Sequence, residues 1–301
     1  MKVLVLGASG FLGSYLGFAL RGIGHDVFGV SRRAIPYFPH NTVVSDLDNL
    51  AEIIQGGDYD LVINAIAVAS HEACEQDPDT AETVNSVFPG LWASAARESG
   101  SRFVHISTDA VFDGKNSELY VEEDASNPES VYGITKVRGE KSVLTANPEA
   151  LVLRVNFFGW SQSGSSGILD FFVNSFTRRT TITGFQDYVV SSLYMGDLVD
   201  AMMALVERGE SGIFHTVSAT PLSKYEFGRI VARYTGLSAD SMAAGVLGEA
   251  KGLAKRGQNL SLSTAKIRDV LGNPMPSTEA GVKRALAERD ALMDYFGASE
   301  K

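Results

Sequence analysis

The sequence predicts an α/β protein: a doubly wound parallel sheet with a smaller, interwoven C-terminal lobe. Three observations carry that expectation. Short β-branched apolar runs recur through the first half, at residues 3–6, 27–30, 61–63, 103–106 and 151–153. Between several of them lie stretches with helical spacing, at residues 11–21, 80–97 and 131–144. A glycine-rich turn, Gly7-Ala8-Ser9-Gly10-Phe11-Leu12-Gly13, follows the first run directly. Alternating strand and helix at this spacing produces βαβ units, and hence a parallel sheet covered on both faces.

After Arg154 the alternation loosens. Ser161-Gln162-Ser163-Gly164-Ser165-Ser166-Gly167 reads as a loop. Helices are expected over residues 168–178, 197–207 (closed by Gly209), 225–234, 264–271 and 278–295, with a strand over 213–217. The expected division is a sheet domain over 1–155, with a return segment near 186–216, and a discontinuous smaller lobe over 156–301.

Bulk properties narrow the function classes. A chain of 301 residues can bury a substantial core. Its net charge of -10 opposes a nucleic-acid or anionic-membrane surface, which would need clustered Lys and Arg. No apolar run approaches the roughly 20 residues that span a bilayer. The single cysteine, Cys74, cannot form an internal disulfide, so a reducing, cytoplasmic setting is expected. A homodimer stays open.

The glycine turn carries the first functional reading. Glycine permits a sharp turn, close approach of backbone N–H groups to a pyrophosphate, and tight helix–strand packing. The helix that follows offers unpaired N–H donors and a positive dipole end to the anion. Gly7, Ser9, Gly10, Phe11, Leu12 and Gly13 are therefore the expected dinucleotide-binding residues. The second strand ends Val30-Ser31-Arg32-Arg33, where an acid would favour the free ribose hydroxyl of NAD. A hydroxyl and two guanidinium groups suit a 2′-phosphate instead, so NADP(H) is preferred and NAD(H) stays open.

Tyr132-Gly133-Ile134-Thr135-Lys136 places a phenol and an ammonium at i and i+4, on one helix face. A nearby ammonium stabilises a phenolate and lowers the phenol's pKa, which makes proton exchange with a carbonyl or alcohol feasible. Ser107-Thr108-Asp109 lies just beyond the 103–106 run. Ligands of doubly wound sheets sit beyond the strands' carboxyl ends, so these hydroxyls are expected to face the cleft, Thr108 polarising a substrate carbonyl. His71, Glu72, Cys74 and Glu75 are too few and too mixed for a metal site, so no metal is expected. His105, within an apolar strand, reads as a satisfied core histidine.

The G-x-x-G-x-x-G spacing, the Tyr-x-x-x-Lys helix and their order resemble the short-chain dehydrogenase/reductase superfamily and its Rossmann-type sheet. That resemblance adds Asp46, Leu47, Asn64, Ala65, Ala67 and Asn85, with Tyr132 and Lys136, to the cofactor cleft. Two longer segments narrow it further. Ile106-Ser107-Thr108-Asp109-Ala110-Val111-Phe112-Asp113-Gly114 and the run from Asn127 to Lys136 resemble the dTDP-4-dehydrorhamnose reductase family. Arg256-Gly257-Gln258-Asn259-Leu260-Ser261-Leu262 is similar to that family's Arg-Pro-x-Asn-Ser-x-Leu. The resemblance implies reduction of a nucleotide-linked 4-keto sugar, with hydride from NADPH and a proton from Tyr132. It implies Thr108, Tyr132 and Lys136 as the catalytic group. Ser107, Thr108, Asp109, Asn156, Trp160, Arg256 and Asn259 would be the substrate-side residues, with Trp160 open between packing on a nucleotide base and filling the lobe interface.

Ala110 distinguishes subtypes: the related 4,6-dehydratases carry Glu there, so elimination is disfavoured. The Arg154-to-Trp160 segment, Ser192 and Gly257 depart from the family pattern on the substrate side. The family also contains non-catalytic relatives, such as the regulatory subunit of methionine adenosyltransferase. A nucleotide-binding regulatory subunit is therefore the alternative.

Overall fold

A computed structural model of the chain describes residues 1–38, 40–249 and 257–297. The first half runs β1 (Lys2–Leu6), α1 (Phe11–Gly22), β2 (Asp26–Ser31), β3 (His40–Val43), α2 (Leu50–Gly56), β4 (Leu61–Asn64), α3 (His71–Gln76), α4 (Pro78–Glu82), α5 (Phe88–Glu98), β5 (Arg102–Thr108), α6 (Val131–Ala146) and β6 (Leu151–Val155). The second half contributes β7 (Phe157–Phe158), α7 (Ile168–Arg178), β8 (Ile182–Phe185), β9 (Val189–Val190), β10 (Leu193–Tyr194), α8 (Met195–Glu207), β11 (Gly212–His215), β12 (Leu222–Ser223), α9 (Lys224–Thr235), β13 (Met242–Gly245), β14 (Asn259–Leu260), α10 (Ala265–Leu271) and α11 (Thr278–Gly297).

The main sheet has the order β11-β6-β5-β4-β1-β2-β3, and every pairing in it is parallel. This is the doubly wound sheet that the alternating apolar runs predict. The chain winds outward from β1 through β2 to β3, then returns to β4 on the other side of β1. That reversal opens a crevice beyond the carboxyl ends of β1 and β4, where such sheets take ligands. Side chains alternate across the sheet with period two. Val3 and Val5 join the core beneath α1 and α8, whereas Leu4 and Leu6 join the core beneath α2 and α5.

The second half adds small sheets, β12-β9-β14, β13-β8 and β10-β7. Through them the segment around 187–192 and the start of α9 reach the cleft side of the molecule.

In the first half three elements have no counterpart in the sequence expectations, and neither do the short strands of the small second-half sheets. β3 is an edge strand with three exposed residues out of four, so it lacks an apolar signal. α2 and α3 are short, with only Leu50, Ile54 and Cys74 buried. The helix expected over 80–97 is also broken. α4 passes into a π-type turn, Thr83–Val87, before α5 begins. Pro89 explains the break, because it has no N–H and its ring excludes the Asn85 carbonyl from an ordinary i→i-4 bond. The strand expected over 213–217 stops at His215.

Candidate active site

The glycine turn bends as its sequence demands. Gly7 has φ +87°, where a side chain would be strained, and a Cβ there would lie 3.0 Å from Ile66 Cγ1. A Cβ on Gly13 would collide with the Gly7 carbonyl oxygen and lie 2.8 Å from its carbon. Gly10, on the cavity wall, caps α1 without a side-chain hydrogen bond, so no side chain occupies the first-turn amides of Phe11, Leu12 and Gly13. The side chains of that turn do other work. Leu12 is buried, and Phe11 stacks on Phe157 at 5.8 Å.

A cavity of about 240 Å³ opens at this turn, lined among others by Gly7, Ser9, Gly10, Arg32, Leu47, Ala65 and Ala67. Its shape answers the test for a dinucleotide: a backbone cradle that a Cβ would fill, beside a helix N-terminus. Arg32 is exposed and lines the cavity. Arg33 is exposed and does not line it. Ser31 is buried, and its hydroxyl lies 2.5 Å from the Arg33 carbonyl and 2.9 Å from Asn41 Oδ1. It shapes the strand end that carries the arginines and, like Arg32, lines the cavity. Asp46 is exposed and accepts from the Asp48 amide, leaving Leu47 alone of that pair on the cavity wall.

Two asparagines hold the opposite wall from behind. Asn64 is fully buried, accepts from the Ile66 amide at 3.0 Å and lies 3.0 Å from His105 Nδ1. Asn85, in the π turn, accepts from the Val68 amide at 2.8 Å and donates to the Val68 carbonyl at 3.1 Å. It also donates to Thr135 on α6 at 3.1 Å. Both are wall-positioning residues whose side chains are already satisfied.

The catalytic candidates lie where β5 meets α6. Ser130 caps α6 by accepting from the Gly133 amide. A Cβ on Gly139 would collide with the Asn85 carbonyl, so glycine permits the close approach of α6 to the π turn. Lys136 donates to the Ile106 carbonyl at 2.7 Å and lies 3.2 Å from His105 Nε2. One turn on, Glu140 accepts from Ser107 at 2.5 Å. Four helix residues rise about 6 Å, and two strand residues span about 6.6 Å. The His105–Lys136 and Ser107–Glu140 contacts therefore match along the whole docking face.

The same alternation corrects one expectation. Ser107 points toward α6 and is occupied by Glu140; only Thr108 turns to the other face. Thr108 donates to Asp109 Oδ1 at 3.1 Å and accepts from the Ala110 amide. Tyr132 is half-buried against the His71 ring, 4.8 Å away, at the first residue of α3.

The electrostatics also differ from the simple tyrosine–lysine expectation. Burial pushes the Tyr132 phenol up to about 12, a Thr108 hydrogen bond opposes this, and the Asp109 charge adds to it. Burial lowers Lys136 to about 8, against the pull of Glu140. The lysine is engaged with β5, so the phenol is not depressed in this arrangement. Asp109 is raised to about 6 by burial, opposed by hydrogen bonds from Asn156 and Thr108 and by the charge of Lys224.

On the substrate side, Asn156 donates to Asp109 Oδ2 at 2.7 Å and accepts from Ser192 at 2.6 Å. Lys224, the first residue of α9, brings its charge to Asp109, and burial lowers it to about 8. Sequence reasoning missed it, because the residue is remote in the chain and belongs to no motif. Trp160 is a correction. It is buried, donates to the Ala285 carbonyl at 2.7 Å and carries Arg289 over its ring, so it fills the α11 interface. Asn259 spends its side chain on the Asn116 carbonyl and on Ser261. Arg256 lies outside the described residues. No group of three or more potential metal ligands occurs among the described residues.

The model of the RmlD substrate-binding domain family matches residues 1–291. The chain belongs to this family. Relatives include a probable low-salt glycan biosynthesis reductase, Agl14, from Haloferax volcanii, 30% identical over 93% of this chain and 95% of that protein. A dTDP-4-dehydrorhamnose reductase from Mycolicibacterium smegmatis is 31% identical over 79% of this chain and 70% of its own. Among solved structures, a Bacillus anthracis dTDP-4-dehydrorhamnose reductase in complex with NADP superposes with a TM-score of 0.85. It covers 96% of this chain and 100% of that one at 23% identity, and thus reports the fold.

Proposed function

We propose that this RmlD-family chain is an NADPH-dependent reductase of a nucleotide-linked 4-keto-6-deoxy sugar. One observation carries the reading: the Thr108 hydroxyl and the Tyr132 phenol share a hydrogen bond at the carboxyl end of β5, the same end of the parallel sheet at which β1 runs into the glycine turn. The reductase names of the relatives point the same way. The regulatory alternative gains nothing from them.

Gly7, Gly10 and the first turn of α1 would hold the pyrophosphate, Arg32 the 2′-phosphate, and Lys136 the sugar next to the reacting ring. The bound cofactor supplies the hydride. Thr108 donates a hydrogen bond to the ketone oxygen and makes its carbon more electrophilic. Tyr132 holds its proton firmly at neutral pH and releases it when negative charge develops on that oxygen. Leu47, Ala65 and Ala67 give the cavity apolar wall.

The reading is tested by following NADPH oxidation with dTDP-, UDP-, GDP- and CDP-4-keto-6-deoxy sugars. Oxidation with at least one is expected. Tight NADPH binding with no oxidation by any of them would favour the regulatory alternative. The reductive direction is also expected to exceed any dehydration of the corresponding 4-hydroxy sugars, since Ala110 offers no acid.

A further inference from the structure

Beneath the catalytic group a hydrogen-bonded chain runs from β4 to α6, and its direction follows from one backbone amide. The Ile66 N–H donates to Asn64 Oδ1, which fixes the orientation of that side-chain amide. Asn64 Nδ2 then faces His105 Nδ1 at 3.0 Å and must be the donor. A neutral imidazole carries one proton, so with Nδ1 accepting it sits on Nε2. His105 Nε2 lies 3.2 Å from Lys136 Nζ. An ammonium there would oppose one N–H to another.

We propose that His105 is a positioning residue that donates from Nε2–H to the Lys136 amine and so disfavours its ammonium form. The amine's lone pair accepts from His105, one N–H goes to the Ile106 carbonyl, and one is left for the catalytic cleft. Every member of the chain is then satisfied. Reversing it would need Asn64 to flip and set its NH2 against the Ile66 amide. His105 and Asn64 are both fully buried, so water cannot mediate a reversal from outside.

Among the described residues, the titratable groups that act on Lys136 are His105 from β5 and Glu140 from the next turn of α6, with Tyr132 one turn earlier on the same helix. α3 brings His71 and Cys74 against Tyr132. Glu140 favours the ammonium, and burial opposes it more strongly. Burial also keeps His105 neutral, well below its usual value, with the Lys136 charge acting in the same direction. Burial brings Lys136 to about 8, and a donor at His105 Nε2 acts in the same direction by favouring the neutral amine.

This inference rests on the reductase reading for its catalytic meaning but not for its first test. In wild-type protein labelled with 15N-histidine, the His105 Nδ1 resonance should lie in the unprotonated range, and Nε2 should carry the proton. Protonated Nδ1 would overturn the proposal whether or not any sugar is reduced. Given turnover, His105→Phe should move the alkaline limb of kcat/KM upward by about one pH unit or more. An unmoved limb in folded His105→Phe would also overturn it. If His105→Phe does not fold, the tautomer measurement alone decides.

Discussion

Replacing Glu140 by Gln tests how α6 is held on the sheet. The carboxylate meets Arg154 at 2.9, 3.0 and 3.3 Å, and the two side chains are only 5% and 4% exposed. Glu140→Gln leaves Arg154 buried without its carboxylate, with the Glu122 carbonyl at 3.4 Å, Ser126 at 3.2 Å and His215 Nε2 at 3.5 Å as its remaining polar neighbours. Breaking one partner of a buried pair costs about 3–5 kcal/mol. Gln keeps one acceptor for Ser107, so about 3 kcal/mol is expected. With a urea slope of about 3 kcal/mol/M, the unfolding midpoint should fall by about 1 M. Because Glu140 also supports the Lys136 ammonium, the alkaline limb of activity should move down as well. A midpoint within about 0.3 M of wild type at unchanged slope would refute the view that this pair fixes α6.

Gly13→Ala should weaken NADPH binding by tenfold or more, because its Cβ meets backbone of Gly7 and lies 3.0 Å from Ala8 Cα; fluorescence titration of NADPH checks this. Activity should be bell-shaped in pH, limited near 6 by Asp109 and near 8 by Lys136. Folding stability should fall as pH rises from about 4 to 6, where folded Asp109 holds its proton longer than the unfolded chain. It should rise again between about 8 and 10.5, where Lys136 and Lys224 release protons earlier when folded; urea midpoints across pH read both. Lys224→Met should raise the acid limb, since the Lys224 charge holds Asp109 down, and an unchanged limb would remove Lys224 from the site.

Periodicity exposed the sheet because β1, β4, β5 and β6 are buried on both faces and read as continuous apolar runs. It missed β3 because an exposed edge strand need not be apolar. The Gly7–Gly13 turn and Tyr132–Lys136 were legible because local spacing creates their chemistry. Ser107 was misread because adjacent strand residues face opposite ways, and only the docked helix shows which side is the cleft. Asn64, His105 and Lys224 act through partners 41, 31 and more residues away, and such pairings exist only after folding. Trp160 was ambiguous for the same reason: its partner is Ala285, on α11.

The central claim is that Thr108, Tyr132 and Lys136 direct a hydride to a sugar carbonyl. It is tested most directly with NADPH deuterated at the transferable position and dTDP-4-dehydrorhamnose as substrate. One deuterium is expected on sugar C4 in wild type, and at least a hundredfold slower incorporation in Tyr132→Phe. Full-rate incorporation in Tyr132→Phe, or deuterium at another sugar carbon, would contradict it.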